Sequence, residues 1–363
     1  MYLALRDLRF AKGRFALMGS VVALITLLLV LLSGLTAGLG NQNTAAIKGL
    51  SSAGADTVAF GAPAGTDPKV SYTESSVTAG QLASWRATPG IDRAEPLGIA
   101  QTRVLGGSSA NVALFGVEEG SVLPPDPVRD GELLLDSETA GLLSVEPGDD
   151  VRVGGEVLRV GAPVEPTYYS HTPVAWTSLA SWQDASHAGS TTDAEDSPAA
   201  TVIAAAGTDD AAAIADRTAG TVSTDVRGSF SGLGSYSSEN GSLVMMQAFL
   251  YGISALVVVA FLAVWTIQRT RDIAVLKALG GSSAYLMRDA LAQAGIIVAS
   301  GAVVGGLLAV LAGTLAGSAA PFHLTLATAL LPVAGIVLLG LAGSAAAVRS
   351  VTRVDPLTAL GGN

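Results

Sequence analysis

The chain has 363 residues, 50% of them hydrophobic and 14% charged, with a mean hydropathy of +0.50. Soluble domains carry about 25% charged residues, so an ordinary soluble protein is excluded and a membrane protein is indicated. Cysteine is absent, which excludes disulfides and thiolate metal sites and says nothing about redox compartment.

In chain order, Tyr2 to Lys12 reads as an interfacial lead-in whose Leu3, Leu5, Leu8 and Phe10 rest on the bilayer. Phe15 to Leu39 is an uncharged apolar run of 25 residues, long enough to span. The small residues of "SGLTAGLG" suit a signal peptidase, but the run is much longer than a signal h-region, so an uncleaved helix is predicted. Residues 1–40 are therefore assigned to the lead-in and the first transmembrane helix.

Residues 41–240 are enough for a domain with its own core. "DTVAFGAP" predicts a strand. "GELLLDSETAGLL" predicts a strand and then a helix with Ser137 as N-cap. "VEPGDDVRVGGEVLRVGAPV" alternates valines around Gly154-Gly155, a hairpin pattern. "ATVIAAAGTDDAAAIADRTAG" predicts strand, turn and helix, and "HAGSTTDAEDSP" a mobile loop. The domain is α+β. The three histidines are scattered and no G-x-x-x-x-G-K loop is present. Asp149-Asp150 and Asp209-Asp210 sit beside turn residues and read as solvated. No catalytic or metal-ligating set is assigned, and nucleic acid is not an expected partner.

"YSSENGSLVMMQAFLYG" leads into a second span at 241–268. Met245, Phe249 and Gly252 share a helical stripe, Met246 is displaced by one position, and Glu239 is the last charge before the span. Residues 269–289 predict a short amphipathic helix. Ile273, Leu276 and Gly280 fall on one stripe, Val275 and Leu279 on another, Asp272 suits the helix start, and Gly280-Gly281 ends it. Such a helix is too short to span. It lies on the bilayer or inserts into a partner. Ala290 to Val348 lacks Asp, Glu, Lys and Arg across 59 residues and holds two spans, 290–318 and 324–348, broken at "GSAAPFH". The spacings Gly34/Gly38, Gly301/Gly305 and Gly313/Gly317 allow close helix approach. The expected fold is a polytopic membrane protein, four transmembrane α-helices with an extracellular α+β domain between helices 1 and 2.

Charge sets the orientation. Residues before the first span, between the second and third, and in the tail 349–363 include ten basic and four acidic side chains, net +6, whereas 41–240 carries ten basic and 26 acidic, net −16. The positive-inside rule places both termini and 269–289 in the cytoplasm of a plasma-membrane protein.

The stretch "RTRDIAVLKALGGSSAYLMRDALAQAG" (269–295) resembles the coupling-helix signature of the FtsX/MacB class of ABC permeases. "VTRVDPLTALGG" (351–362) resembles that class's C-terminal tail, and the order of one helix, a large outer domain and three helices matches. The resemblance implies that two permeases pair with two ATPase subunits that bind the ATP. Nucleotide-driven closure then pushes the coupling helices, with Arg271, Asp272, Ile273, Leu276, Lys277 and Leu279 as the contact, and the motion reaches the outer domains (mechanotransmission). With no Walker motif here, the ATPase is expected to be a separate subunit, and the chain itself no enzyme and without a cofactor of its own.

"PTYYSHTPVAWTSLASW" (166–182) is similar to the Y-S-H-x-P-V-x-W stretch of heme-exporter permeases of Gram-positive bacteria. That resemblance implies heme as substrate, expelled from the membrane. A heme site needs apolar walls and often an axial ligand such as His, Tyr or Met. Tyr168, Tyr169 and His171, with Tyr236, Glu239, Met245, Met246 and Phe249, are the candidate contacts. The alternatives are export of another amphiphile (peptide, antibiotic or lipid) and an FtsX-like signal transmitter that activates an extracellular partner.

The charge split generates a direct test. Because native cysteine is absent, a cysteine at Ser190 is expected to react with an impermeant maleimide on intact cells, and one at Ser283 only after permeabilisation. The reverse labelling pattern would overturn the topology.

Overall fold

The first helix does not stop where its apolar run ends: α1 extends from Lys12 to Ser52. The computed structural model describes residues 12–63, 65–186, 198–268, 282–316 and 321–352. These form two units, a domain over Gly40–Asn240 and the helices before and after it. Of the predicted segments, the lead-in up to residue 11, the loop 187–197, residues 269–281 of the predicted amphipathic helix at 269–289, the break at 317–320 and the tail from 353 lie outside the described residues.

Within the domain, the last part of α1 contributes a stripe of Asn43, Ile47 and Leu50, at i, i+4 and i+7, all buried. Ile47 and Leu50 are fully buried in the main core with Val58, Phe60, Leu97, Phe115 and Trp176. Each such side chain contributes about 1.5–3 kcal/mol on leaving water. That burial, with no proline before the left-handed Gly54, carries the helix past residue 40 despite Gly40 and Gly49.

The rest of the domain is α+β. The elements are β1 (Thr57–Phe60), β2 (Val77–Thr78), α2 (Ala79–Ala87), β3 (Ile91–Leu105), β4 (Ser109–Val117), β5 (Glu132–Leu134), α3 (Ser137–Leu143), β6 (Asp150–Val153), β7 (Glu156–Val160), β8 (Tyr168–Tyr169) and β9 (Thr172–Ser178). They continue with α4 (Leu179–Ser186), β10 (Pro198–Ala200), β11 (Val202–Gly207), α5 (Asp209–Ala219) and β12 (Val222–Asp225). The main sheet runs β12-β1-β11-β3-β4-β9-β5-β7-β6, and the far end of β3 pairs again with β6. The sheet thus curls back on its longest strand. A second core fills the curl with Val104, Leu114, Leu133, Leu143, Val153 and Trp182. On the other half, α2 and α5 cover a third cluster around Trp85, Ile203 and Ala215.

The expected strand at 57–60, the hairpin at 150–160 and the strand–helix unit at 202–219 are all present. Gly154 and Gly155 take φ of 59° and 105°, as the two-residue turn requires. One cap differs from expectation. Asp136, not Ser137, is the N-cap of α3, because its Oδ1 accepts from the amides of Glu138 and Thr139 and its Oδ2 from the Thr139 hydroxyl.

The other unit consists of α1 up to Leu39, α6 (Gly234–Gln268) from Gly241 on, α7 (Ser283–Ala316) and α8 (Leu326–Thr352). Four helices among the described residues are long and apolar enough to cross a membrane: Phe15–Ser52, Gly234–Phe261, Leu291–Leu315 and Leu326–Ala345. Helix α7 starts at Ser283, seven residues before the predicted span, and takes Arg288 and Asp289 onto the same helix. Met18, Val22 and Leu29 pack with Val258, Ile297, Val298 and Ile336. The glycine spacings act in packing, as small residues do in membranes. A Cβ on Gly301 would come within 2.7 Å of the Gly19 carbonyl oxygen, and one on Gly305 would strike the carbonyl of Ala23.

A tighter fit lies in the domain. Gly98 and Gly116 face each other across β3 and β4, and the Trp182 indole rests on both. Gly116→Ala places a methyl group inside the Trp182 side chain. It is expected to destabilise the domain by about 1–3 kcal/mol, the usual range for overpacking, measured as a lowered Tm of the purified protein. An unchanged Tm would show that the slot is slack.

Candidate functional site

Strands β8 and β9 are joined by a two-residue turn, with Tyr169 paired to Thr172 and Tyr168 to Pro173. The turn residues are Ser170 and His171, with φ of 47° and 64°. Two-residue hairpins of this kind need positive φ at both positions and favour Asn-Gly. Ser and His there hold strained backbone, a feature that clusters at functional sites.

Neighbouring groups hold the turn in place. The amides of Ser170 and His171 donate to the backbone carbonyls of Asn43 and Gln42 in α1, each at 3.1 Å. His171 Nε2 lies 2.9 Å and 3.1 Å from the two carboxylate oxygens of Glu239, at the start of α6. Asn43 Nδ2 donates to Glu239 Oε2 at 3.0 Å and sits 2.9 Å from the same imidazole nitrogen. Ser235 donates to Asn43 Oδ1 at 2.6 Å. His171 Nδ1 faces Gln42 Oε1 at 3.3 Å. Asn43 is buried, whereas the His171 and Glu239 side chains keep 32% and 37% of their exposure. The pair therefore remains reachable from solvent.

The tyrosines divide as strand alternation dictates. Tyr169 points into the core, ring edge against Tyr72 and Phe115 at centroid distances of 5.9 Å and 5.4 Å. Burial raises its hydroxyl pKa, so it remains neutral and serves in packing. Tyr168 is half-buried on the opposite side of the strand. Burial raises its pKa, followed by the carboxylates of Glu138 and Asp136. Tyr236 packs edge-on against Phe230 at 5.8 Å. On α6, Met245, Met246 and Phe249 are 60%, 56% and 66% exposed. Ser254 and Val258, on the same helix, are buried, and Gln247 donates to Thr36. Met245, Phe249 and Gly252 do share an exposed stripe, and Met246 is exposed beside it.

The structure thus brings His171 and Glu239 together and adds Gln42, Asn43 and Ser235, which sequence reasoning missed. The available signal was the run "NQN" after an apolar helix and in phase with Ile47 and Leu50. Arg271, Asp272, Ile273, Leu276, Lys277 and Leu279 lie outside the described residues.

Among the described residues, four helices are long and apolar enough to cross a membrane, and a folded domain stands between the first and second of them in the chain. Residues 244–356 match the FtsX-like permease C-terminal family. The chain is 27% identical over 375 residues to an uncharacterized ABC transporter permease of Mycobacterium tuberculosis, covering 100% of this chain and 99% of that one. A second permease of that organism is 29% identical over 378 residues, again covering 100% and 99%. It is 30% identical over 132 residues, 36% of this chain, to the candidate hemin transport system permease HrtB of Staphylococcus epidermidis, and spans 38% of that protein's length. It is loosely similar to the extracellular domain of the ABC-type transporter YknZ from Gram-positive bacteria, with a TM-score of 0.33, 12% identity, and coverage of 47% of this chain and 99% of that one. The C-terminal part of the chain is thus an FtsX-like permease domain, and over its whole length the chain is similar to ABC transporter permeases.

Proposed function

We propose that this permease is the membrane subunit of an efflux pump that expels heme from the membrane. Two copies pair with two separate ATPase subunits, which bind the ATP. Closure of the ATPases pushes the helix at 269–289, and the motion is passed mechanically to the extracellular domain. Heme enters from the outer leaflet and meets Tyr168, His171, Tyr236, Glu239, Met245, Met246 and Phe249, while Tyr169 supports the hairpin from the core.

The observation that carries this reading is the strained Ser170-His171 turn, with His171 beside Glu239. Its support is threefold. The turn occupies the Y-S-H-x-P-V stretch that resembles heme exporters, relatives are named for hemin transport, and α6 carries exposed Met and Phe side chains. Apolar contact would supply most of the affinity, at about 25 cal/mol per Å² buried, with the ligand fixing orientation and spectrum.

Hemin titration followed by absorption spectra tests the cargo. Ala at Glu239, Met245 or Met246 is expected to shift the Soret band for the true ligand, and to weaken binding without a spectral change for a wall residue. Should Ala at each of Tyr168, His171, Glu239, Met245 and Met246 leave binding, spectrum and heme tolerance unaltered, another amphiphile or signal transmission becomes the better reading. The coupling role is tested separately. Ile273→Asp or Leu276→Asp puts a charge into the apolar contact with the ATPase, at about 3–5 kcal/mol for an unpaired buried charge. Co-purification of the ATPase and transport-linked ATP hydrolysis should then be lost, and wild-type values for both variants would remove this helix from the coupling.

A further inference from the structure

Two of the side chains with the chemistry to ligate the cargo's iron are occupied by each other. The imidazole nitrogen that would coordinate a metal, Nε2 of His171, lies 2.9 Å from a Glu239 carboxylate oxygen. Asn43 Nδ2 is within hydrogen-bond distance of both. Asn43 is itself fixed, with its side chain buried and its Oδ1 accepting from Ser235. The imidazole is brought there by a turn that two non-glycine residues adopt at positive φ, and α1 secures that turn through the Gln42 and Asn43 carbonyls.

We propose that the Ser170-His171 turn is a self-occluding clip. In the cargo-free protein His171 and Glu239 mask one another, Asn43 positions them, and binding of a flat anionic iron macrocycle opens the clip by taking one partner into its coordination sphere. This rests on the heme reading and adds its regulation. On coordination, a bond forms between the iron and either the Glu239 oxygen or His171 Nε2, and the hydrogen bond between those two groups breaks; where Nε2 binds, its proton is lost to the Glu239 carboxylate or the imidazole takes the tautomer whose Nδ1–H faces Gln42 Oε1. The freed turn loses the contact that offsets its backbone strain, so the amides of Ser170 and His171 separate from the α1 carbonyls. Cargo occupancy is thereby converted into a change of backbone order at the hairpin tip. Asn43 is a positioning residue, since it touches both partners and both of its polar atoms are engaged within the cluster.

Hydrogen exchange on the full permease–ATPase complex in lipid nanodiscs, with and without hemin, tests the clip. Hemin binding is followed in the same samples by the Soret band. The expected result is that hemin binds and the amides of residues 170–172 exchange faster, by about fivefold, the factor that a partly exposed pair of about 1 kcal/mol is worth. Bound hemin with unchanged or slower exchange there overturns the clip and leaves the heme reading intact. Absence of any hemin binding overturns the heme reading and the clip with it. Two variants give a second measure. His171→Asn keeps a side chain tolerant of the turn's backbone and removes the imidazole. Glu239→Gln removes the carboxylate charge. The clip requires that one of them bind hemin about threefold to fivefold more tightly than wild type, because its partner is unmasked, and that the other lose the wild-type Soret position. If both variants bind as wild type, or both more weakly, the two groups do not mask each other and the clip is wrong.

Discussion

The arrangement depends on one helix that refuses to end. An apolar run long enough to span would be complete by Leu39, yet α1 continues to Ser52 because Ile47 and Leu50 are buried in the core of the next domain. Extending a formed helix adds a hydrogen bond for each residue fixed, whereas restarting one after a break must repeat the costly nucleation. The continuation therefore costs little and is secured by burial. It also places Gln42 and Asn43, polar residues with no role in a lipid span, on a rigid rod one turn before the buried aliphatics. Their carbonyls and amides are the groups that meet the hairpin tip.

That meeting is balanced rather than strong. Two non-glycine residues at positive φ cost on the order of 1–3 kcal/mol each. Two backbone hydrogen bonds return about 0.5–1.5 kcal/mol each. The His171–Glu239 pair, about one-third exposed on both sides, is worth no more than about 1 kcal/mol after solvent screening. The terms nearly cancel. A tip held this way has the near-balance that the proposed clip requires, which a tip built from Asn-Gly, free of strain, would not have. The same balance explains why polar side chains rather than apolar packing hold it. Water can substitute for the carboxylate at His171, whereas nothing in water substitutes for the Tyr72–Tyr169–Phe115 contacts just behind it.

Much of this was legible in the sequence, and the limits were physical. The four apolar helices followed from run length and absence of charge, and the hairpin at 150–160 from Gly154-Gly155 between alternating valines. The strand–helix unit at 202–219 was read from its residue pattern, and the structure adds Thr208 as the cap. What failed was local competition and long-range contact. Asp136 and Ser137 are both good caps, and only geometry shows that Asp136 satisfies two amides and a hydroxyl. The end of α1 was read from hydropathy, which reports lipid and not the aliphatics of a distant sheet. His171 and Glu239 could each be singled out, but they are 68 residues apart, and no periodicity links a turn to a helix start. The buried Asn43 was invisible because a polar residue after an apolar run reads as an interface. Tyr169 was read as a candidate contact. Strand alternation places it inward, and that is decided by the register Tyr169–Thr172, which the turn type sets.

The chemistry of α6 then constrains how cargo can be handled. From Asn240 to Gln268, and across Phe15–Leu39 and Leu291–Ala345, there is no Asp, Glu, Lys or Arg. An anionic cargo routed through these helices would leave its charge unmatched in hydrocarbon, at a cost of several kcal/mol. The charge of Glu239 sits before the apolar part of α6 begins, and the exposed side chains that follow are Val244, Met245, Met246, Phe249 and Ile253. Aliphatic residues alone would suffice for a face that meets only lipid. Methionine and phenylalanine add a flexible thioether and a flat ring, which adapt to a planar apolar occupant better than branched aliphatics do. Under the proposed function, spans without charge suit cargo taken up from the membrane rather than carried through an aqueous path.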